Sequence, residues 1–223
     1  MRSTHSASPE RGSALVEFAL AVTFFWVPLF LGMTVIGFEL IAAMQVTQVC
    51  RDAAHMYSYG IDFSQSSYQN LLAQMASGLN LNISGDSGPY GNTTNLGSAV
   101  IVLSTISYVD ATACQAGGYQ ANTTSCPNLG STIFRRQIVI GSANLHASAF
   151  GTPKSADMDS TGTVSTAGFL TDTADQATNF SPNVLSVTSS TQFIYVAEMW
   201  VTQNNGITWN VLGPPEISSR AIF

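Results

Sequence analysis

The sequence predicts an α+β protein in which a long N-terminal membrane-spanning helix is followed by a short helix packed on an antiparallel sheet. Three observations lead there. No charged residue lies between Glu17 and Glu39. Helical periodicity continues past that stretch as far as Gly60. The rest of the chain holds short runs of strand-forming residues, two of them separated by a segment with Asn205-Gly206, a strong signal for a tight hairpin. A chain of 223 residues can bury one sizeable core, so one main domain with appendages is expected. Only 9% of the residues are charged, against about 25% in ordinary soluble domains, and Ser, Thr, Asn, Gln and Gly fill the gap. The net charge is −6, and the seven basic residues are scattered singly except for the adjacent Arg135 and Arg136. Such a distribution offers no footprint for a phosphate backbone, which argues against nucleic acid as a partner.

As a helix, Phe18 to Phe38 would be about 31 Å long, close to the ~30 Å hydrocarbon core of a bilayer. A secretory signal would have a shorter apolar region, about 7–15 residues, followed by small residues at a cleavage site. Here the helical pattern runs straight through Ile41 to Ala43, the nearest candidate. Arg2 and Arg11 precede the span, which leaves the N-terminus cytoplasmic and the bulk of the chain outside. From Ser13 to Gly60 the helix would extend about 72 Å, over twice what a bilayer needs. Its surplus, Glu39 to Tyr59, places Val46, Val49, Ala53 and Met56 at helical spacing, a stripe for packing. Gly60 supplies the stop. Pro28 removes one backbone hydrogen bond and is expected to kink or locally melt the helix.

Glu17 is the anomaly in this apolar stretch. A carboxylate in a membrane helix costs about 2.5–3.5 kcal/mol at the centre and less near the interface, so it either snorkels into water or has a partner. Ser13 and Glu17 are four apart, one turn of helix on the same face. A cut after Gly12 would place a free Ser13 amine beside that carboxylate.

The stretches "RGSALVEFALAVTFFWVPLF" and "AAMQVTQVCRDAAHMYSYG" resemble the TadE-like minor pilins (pseudopilins) of the tight-adherence (Flp, type IV-like) pilus system, over residues 10 to 60. The resemblance implies a pilin-like subunit. A prepilin peptidase would remove a leader, residues 1–12, with Gly12 and Ser13 as the processing residues. Glu17 and Phe18 would serve assembly. The implied partners are the peptidase, other pilin and minor pilin subunits, the assembly platform and the membrane. The implied location is the bacterial inner membrane in a single pass, with incorporation into a surface pilus that mediates attachment. The alternative reading is a single-pass anchored extracytoplasmic domain that binds a ligand or acts as an enzyme.

Residues 61–223 read as the external domain. "FSQSSYQNLLAQMASGLNL" predicts a second helix, with Ser64 as N-cap, Tyr68, Leu71, Leu72, Met75 and Leu79 on one face, and Gly78 near the end. "GDSGPYGNTTNLGS" is a loop by composition. "AVIVLSTISYV", "IFRRQIVIG", "FIYVAEMWV" and "ITWNVL" are the strand candidates. The run at 193–202 is apolar on both alternating faces, which predicts a central strand. Residues 151–192 are rich in Ser, Thr and Gly and short of apolar residues, which predicts a partly mobile surface excursion. Cys114 and Cys126 lie in another long loop, about 110–132, on the external side, where a disulfide can persist. Closing so short a loop contributes roughly 3 kcal/mol in the chain-entropy account. Cys50 belongs to the long helix and reads as a small packed residue.

Catalytic chemistry is scarce. "DMDST", starting at Asp157, matches a phosphatase nucleophile pattern, but "FGTPKSA" before it is no buried strand. As a calcium loop the same stretch has Gly168 where the twelfth ligand, Glu, belongs, which leaves at most an opportunistic site at Asp157 and Asp159. His5, His55 and His146 lack metal-ligand spacing. No serine or cysteine has a recognisable catalytic setting. The Asn-x-Ser/Thr matches at Asn82, Asn92, Asn122 and Asn179 are what this composition yields by chance. The expectation is therefore no enzyme, no metal and no cofactor.

Overall fold

The computed structural model describes residues 10–79, 81, 97–180, 188–202 and 216–223. The chain divides into two compact units, Met1–Ile41 and Ala42–Phe223.

In the first unit, helix α1 (Glu10–Ala21) passes into a π-helical turn (Val22–Trp26), and helix α2 (Val27–Ser58) follows, beginning in this unit and ending in the second. The turn ends two residues before Pro28. Proline has no N–H, and its ring collides with the carbonyl four residues back. Widening the preceding turn accommodates that conflict, and the Val27 N–H reaches back to the Val22 carbonyl. The expected disturbance at Pro28 thus takes the form of a π turn. The Thr23 and Thr34 hydroxyls donate to the Ala19 and Phe30 carbonyls, each at 2.8 Å, which satisfies them within the helix itself.

The second unit is a four-stranded antiparallel sheet of order β2-β1-β3-β4, built from β1 (Ala99–Tyr108), β2 (Thr132–Gly141), β3 (Phe193–Thr202) and β4 (Glu216–Ile222). One face carries Ile101, Leu103, Ile138, Ala197 and Met199. They share a core with Val46, Val49, Cys50, Ala53 and Tyr57 of α2 and with Leu72 of helix α3 (Ser66–Met75). The stripe expected on the long helix is this contact, with Met56 partly buried at its margin. Helix α2 ends as its glycine predicts. Gly60 has φ +87°, its N–H donates to Tyr57, and the Ile61 N–H donates to Met56. This is a Schellman closure, for which a residue without Cβ is favoured.

The other sheet face is covered as well. Ile106, Phe134, Ile194 and Val196 pack with Val164, Phe169, Leu170 and Phe180, while Trp200 packs with Val100 and Val102. Burial on both faces explains the continuous apolar runs of β1 and β3, and β3 lies inside the sheet as expected.

Three expectations need correction. Residues 151–180 are not a surface excursion: Val164, Phe169, Leu170, Ala177 and Phe180 are buried. Three short elements order this stretch, a 3₁₀ turn (Ser155–Asp157), helix α5 (Thr166–Thr171) and a second 3₁₀ turn (Thr173–Asp175), the last two capped by the Ser165 hydroxyl and the Asp172 carboxylate. Few apolar residues suffice because these side chains satisfy the backbone locally. Ser64 does not cap α3, since its hydroxyl and amide both donate to Asp62 Oδ1, at 2.8 and 3.1 Å, and Gln65 holds the N-cap position. The inward face of that segment is Gln69, Leu72, Ala76 and Leu79, while Tyr68, Leu71 and Met75 are exposed. Ala76 permits close approach, and the buried Gln69 amide is satisfied by the Phe63 carbonyl at 2.8 Å. The "ITWNVL" strand, the Asn205-Gly206 turn, His5, Asn82, Asn92 and most of the "GDSGPYGNTTNLGS" loop lie outside the described residues.

Candidate functional site

Three places bear on function. The first is the N-terminal helix. Gly12 and Ser13 lie within the backbone of α1, as does Glu17 one turn on from Ser13. The side chains of Glu17 and Phe18 are exposed. From Ala14 to Gln45 no described side chain is buried, and Val46 is the first that is. Leu15, Phe18, Phe24, Phe30 and Met33 are more than half exposed, an apolar surface unsuited to water. Helix runs from Ala14 to Ser58, and among the described residues it is the one helix long and apolar enough to cross a membrane.

The second is the loop between β1 and β2. Cys114 and Cys126 form a disulfide with Cα atoms 6.0 Å apart, as expected. Cys114 belongs to a short helix, α4 (Ala111–Ala116), whose N-cap Asp110 accepts from the Ala113 N–H at 2.8 Å. The amide of Ser190 and then that of Ala113 hold the Asp110 carboxyl below its ordinary range, against a partial upward pull from burial. Asn128 is fully buried and donates to the Phe169 and Asp172 carbonyls at 2.9 and 2.7 Å, which ties this loop to α5. Cys50 is free and buried, with its thiol against the Ala197 and Ser219 carbonyls at 3.3 and 3.4 Å.

The third is a cavity of about 320 Å³ between the C-terminal end of α2, β1, β2 and β3. A β-bulge builds it. Arg136 faces Thr105 and Phe134 faces Ile106, so Arg135 is an extra residue with no partner on β1. A regular strand would send Arg135 and Arg136 to opposite faces, whereas a bulge re-aims one of them. Both line the cavity, with Tyr57, Ile61, Phe193 and Tyr195. The Arg136 guanidinium meets Asp62 at 2.5 Å and its Nε donates to the Thr161 carbonyl at 3.0 Å. The Arg135 guanidinium lies 3.7 Å above the Phe169 ring and 6.0 Å from that of Phe193, and burial lowers its pKa. Arg135 and Arg136 were visible in the sequence as the one adjacent basic pair, but their convergence depends on the bulge.

Asp159 Oδ1 accepts from the Thr161 amide and hydroxyl and from the Thr163 amide at 2.8, 2.6 and 3.0 Å. It closes a turn. Asp157 Oδ2 and Asp175 Oδ2 are buried without a hydrogen-bond partner among the described residues. No group of three potential metal ligands occurs among the described residues. His146 stacks on Trp200 at 4.2 Å, and His55 packs against the tilted ring of Phe223 at 4.2 Å, packing roles for both. Compared with family models, curated proteins and solved structures, the chain matches none of them.

Proposed function

We propose that this chain is a minor pilin (pseudopilin) of a tight-adherence-type pilus, processed by a prepilin peptidase after Gly12 and assembled through its N-terminal helix. The observation that carries the reading is one helix with two uses: an exposed apolar half bearing Glu17 one turn after Ser13, and a half that forms the core of the second unit. In lipid, the first half anchors the chain with its N-terminus in the cytoplasm and residues 61–223 outside the bacterial inner membrane. On assembly, the same apolar surface packs against neighbouring subunits, and Glu17 pairs with the freed Ser13 amine of a neighbour. Incorporation into a surface filament then serves attachment. The test is the N-terminal sequence and intact mass of the chain extracted from the membranes of its host. A start at Ser13, lost in Gly12→Val, supports processing; a start elsewhere, or equal trimming of both proteins, sinks it. The two-arginine cavity favours a second reading, a single-pass anchored ligand-binding domain, and the same measurement separates the two, since an anchor has no need to begin at Ser13.

A further inference from the structure

We propose that the cavity between the end of α2 and the bulge of β2 binds a small oxyanion ligand, a carboxylate or phosphate on a monosaccharide-sized body, through the guanidinium of Arg135. All the residues involved lie in the unit Ala42–Phe223, so the inference holds whichever way the N-terminal helix is used.

The two arginines at the bulge are in different states. Arg136 is spoken for, by Asp62 and the Thr161 carbonyl. Arg135 is half-buried, and among the described residues no carboxylate pairs with it and no hydrogen bond reaches its N–H groups. Removing a guanidinium from water without an opposite charge is costly, and folded proteins generally compensate it. Stacking on Phe169 is a partial compensation that uses only the flat face of the group. The N–H donors are distributed around its edge and remain free to grip an oxyanion in a two-pronged contact.

The surroundings set the size and class of the ligand. A cavity of about 320 Å³ is at the small end of ligand pockets, right for one sugar ring and too small for an extended chain. Phe193, Tyr195 and Ile61 offer apolar surface for the body of the ligand, and the Thr105 hydroxyl, hydrogen-bonded to the Tyr57 oxygen at 2.8 Å, supplies polarity at the wall. The chain as a whole carries −6, so its field repels large polyanions. Asp62 and Asp159 both act on Arg136, but among the described residues the lining of the cavity holds both arginines and no carboxylate, which leaves it locally positive at Arg135. A small anion is favoured over a polymer.

The experiment is calorimetric titration of the full chain in detergent micelles with glucuronate, glucose 6-phosphate and glucose. The two acids distinguish a carboxylate source from a phosphate source, and the neutral sugar reports the contribution of the body alone. Saturable binding of at least one acid, at least about tenfold tighter than glucose, is expected, with at least about a tenfold loss in Arg135→Gln. Equal affinity for glucose, unchanged affinity in Arg135→Gln, or no saturation by either acid overturns the proposal. Should the Gln variant fail to fold, the arginine side-chain Nε–H resonance of the wild type that is missing from Arg135→Lys serves instead. It must shift on titration with the acid that binds, and a resonance that stays put refutes the assignment.

Discussion

The Arg136 guanidinium meets the Asp62 carboxylate at 2.5 Å and thereby joins β2 to the turn that follows α2. Asp62 also accepts from both donors of Ser64. Burial pulls its carboxyl upward, but the Ser64 bonds and then Arg136 outweigh it, so the group sits below its ordinary 3.8. A depressed acid stabilises the fold fully above that ordinary value, and the contribution is lost as pH falls through the depressed one. Because the Asp62 side chain is 37% exposed, screening limits the cost of Asp62→Asn to about 1 kcal/mol at pH 7. Urea unfolding of the two proteins at pH 7 and near pH 3 should show that difference shrinking in acid; a constant gap would contradict the pairing.

The disulfide holds a loop that carries little core of its own. Replacing both Cys114 and Cys126 by Ala is expected to lower stability by about 3 kcal/mol, read as a fall in the urea midpoint. In the native protein without reductant, alkylation should label no cysteine, because Cys50 is buried. In urea without reductant it should label Cys50 alone. Label on either loop cysteine before reduction would remove the bond from the account.

Asp175 is an uncompensated element. Its Oδ1 accepts from the Lys154 N–H at 2.8 Å, but its buried Oδ2 has no donor among the described residues, and Asp157 Oδ2 is in the same condition. A Cβ placed on Gly168 would touch Asp175 Oδ2 at 2.9 Å and Asp157 Cγ at 3.1 Å, so the two carboxyl groups are close neighbours. Burial first, then the charges of Asp157 and Asp172, raise the Asp175 pKa, with the Lys154 N–H opposing. For a raised acid the sign reverses: its contribution is present below the ordinary value and lost as pH rises through the raised one. Asp175→Asn keeps the Lys154 bond and turns a repelled oxygen into a donor toward Asp157. The variant should be more stable than wild type by about 1 kcal/mol at pH 7, with a smaller gain at pH 4. A destabilised variant at pH 7 would show that the carboxylate has a partner of another kind.

Glu17→Gln separates the assembly reading from simple snorkelling. If Glu17 pairs with a neighbour's freed amine, the amide leaves that amine unpaired in a low-dielectric place, at a cost of roughly 3–5 kcal/mol. Membrane insertion and cleavage after Gly12 should persist while the processed chain disappears from sheared surface filaments. Normal incorporation of the Gln variant would return Glu17 to the interface.

What could be read from the sequence divides by mechanism of burial. Strands β1, β2 and β3 announce themselves because residues such as Ile101, Ile138 and Val196 sit in runs buried from both sides. Strand β4 has no such signal. It is an edge strand in which Ala221 is buried and Glu216, Ser218 and Arg220 are exposed, and so little apolar content resembles a loop. Nor does sequence reveal that Glu198, inside an apolar run, is buried and satisfied by Arg220 at 2.8 Å and by the Ser148 hydroxyl. The segment 151–180 resembles a loop for a related reason: its order comes from side-chain caps rather than from apolar periodicity. The spacing of Ser13 and Glu17 is legible because a helix converts it directly into neighbourhood. The convergence of Arg135 and Arg136 is not, because it depends on the register of β1 against β2.

That register also predicts how the gene tolerates changes of length. Phe134 packs with the cluster that holds Phe169, and Ile138 with the cluster that holds α2, and Arg135 is the inserted residue that reconciles these two commitments. Removing its codon would leave Phe134 and Arg136 as consecutive residues opposite Ile106 and Thr105, an unbroken ladder in which both ends of β2 keep their present faces. Substituting the same codon leaves both ends in frame. In a scan scored for folding, position 135 should therefore accept many amino acids and also be among the most tolerant positions in the sheet to a single-residue deletion, whereas removal of Val139, which leaves the bulge in place, should exchange the faces of the residues that follow it.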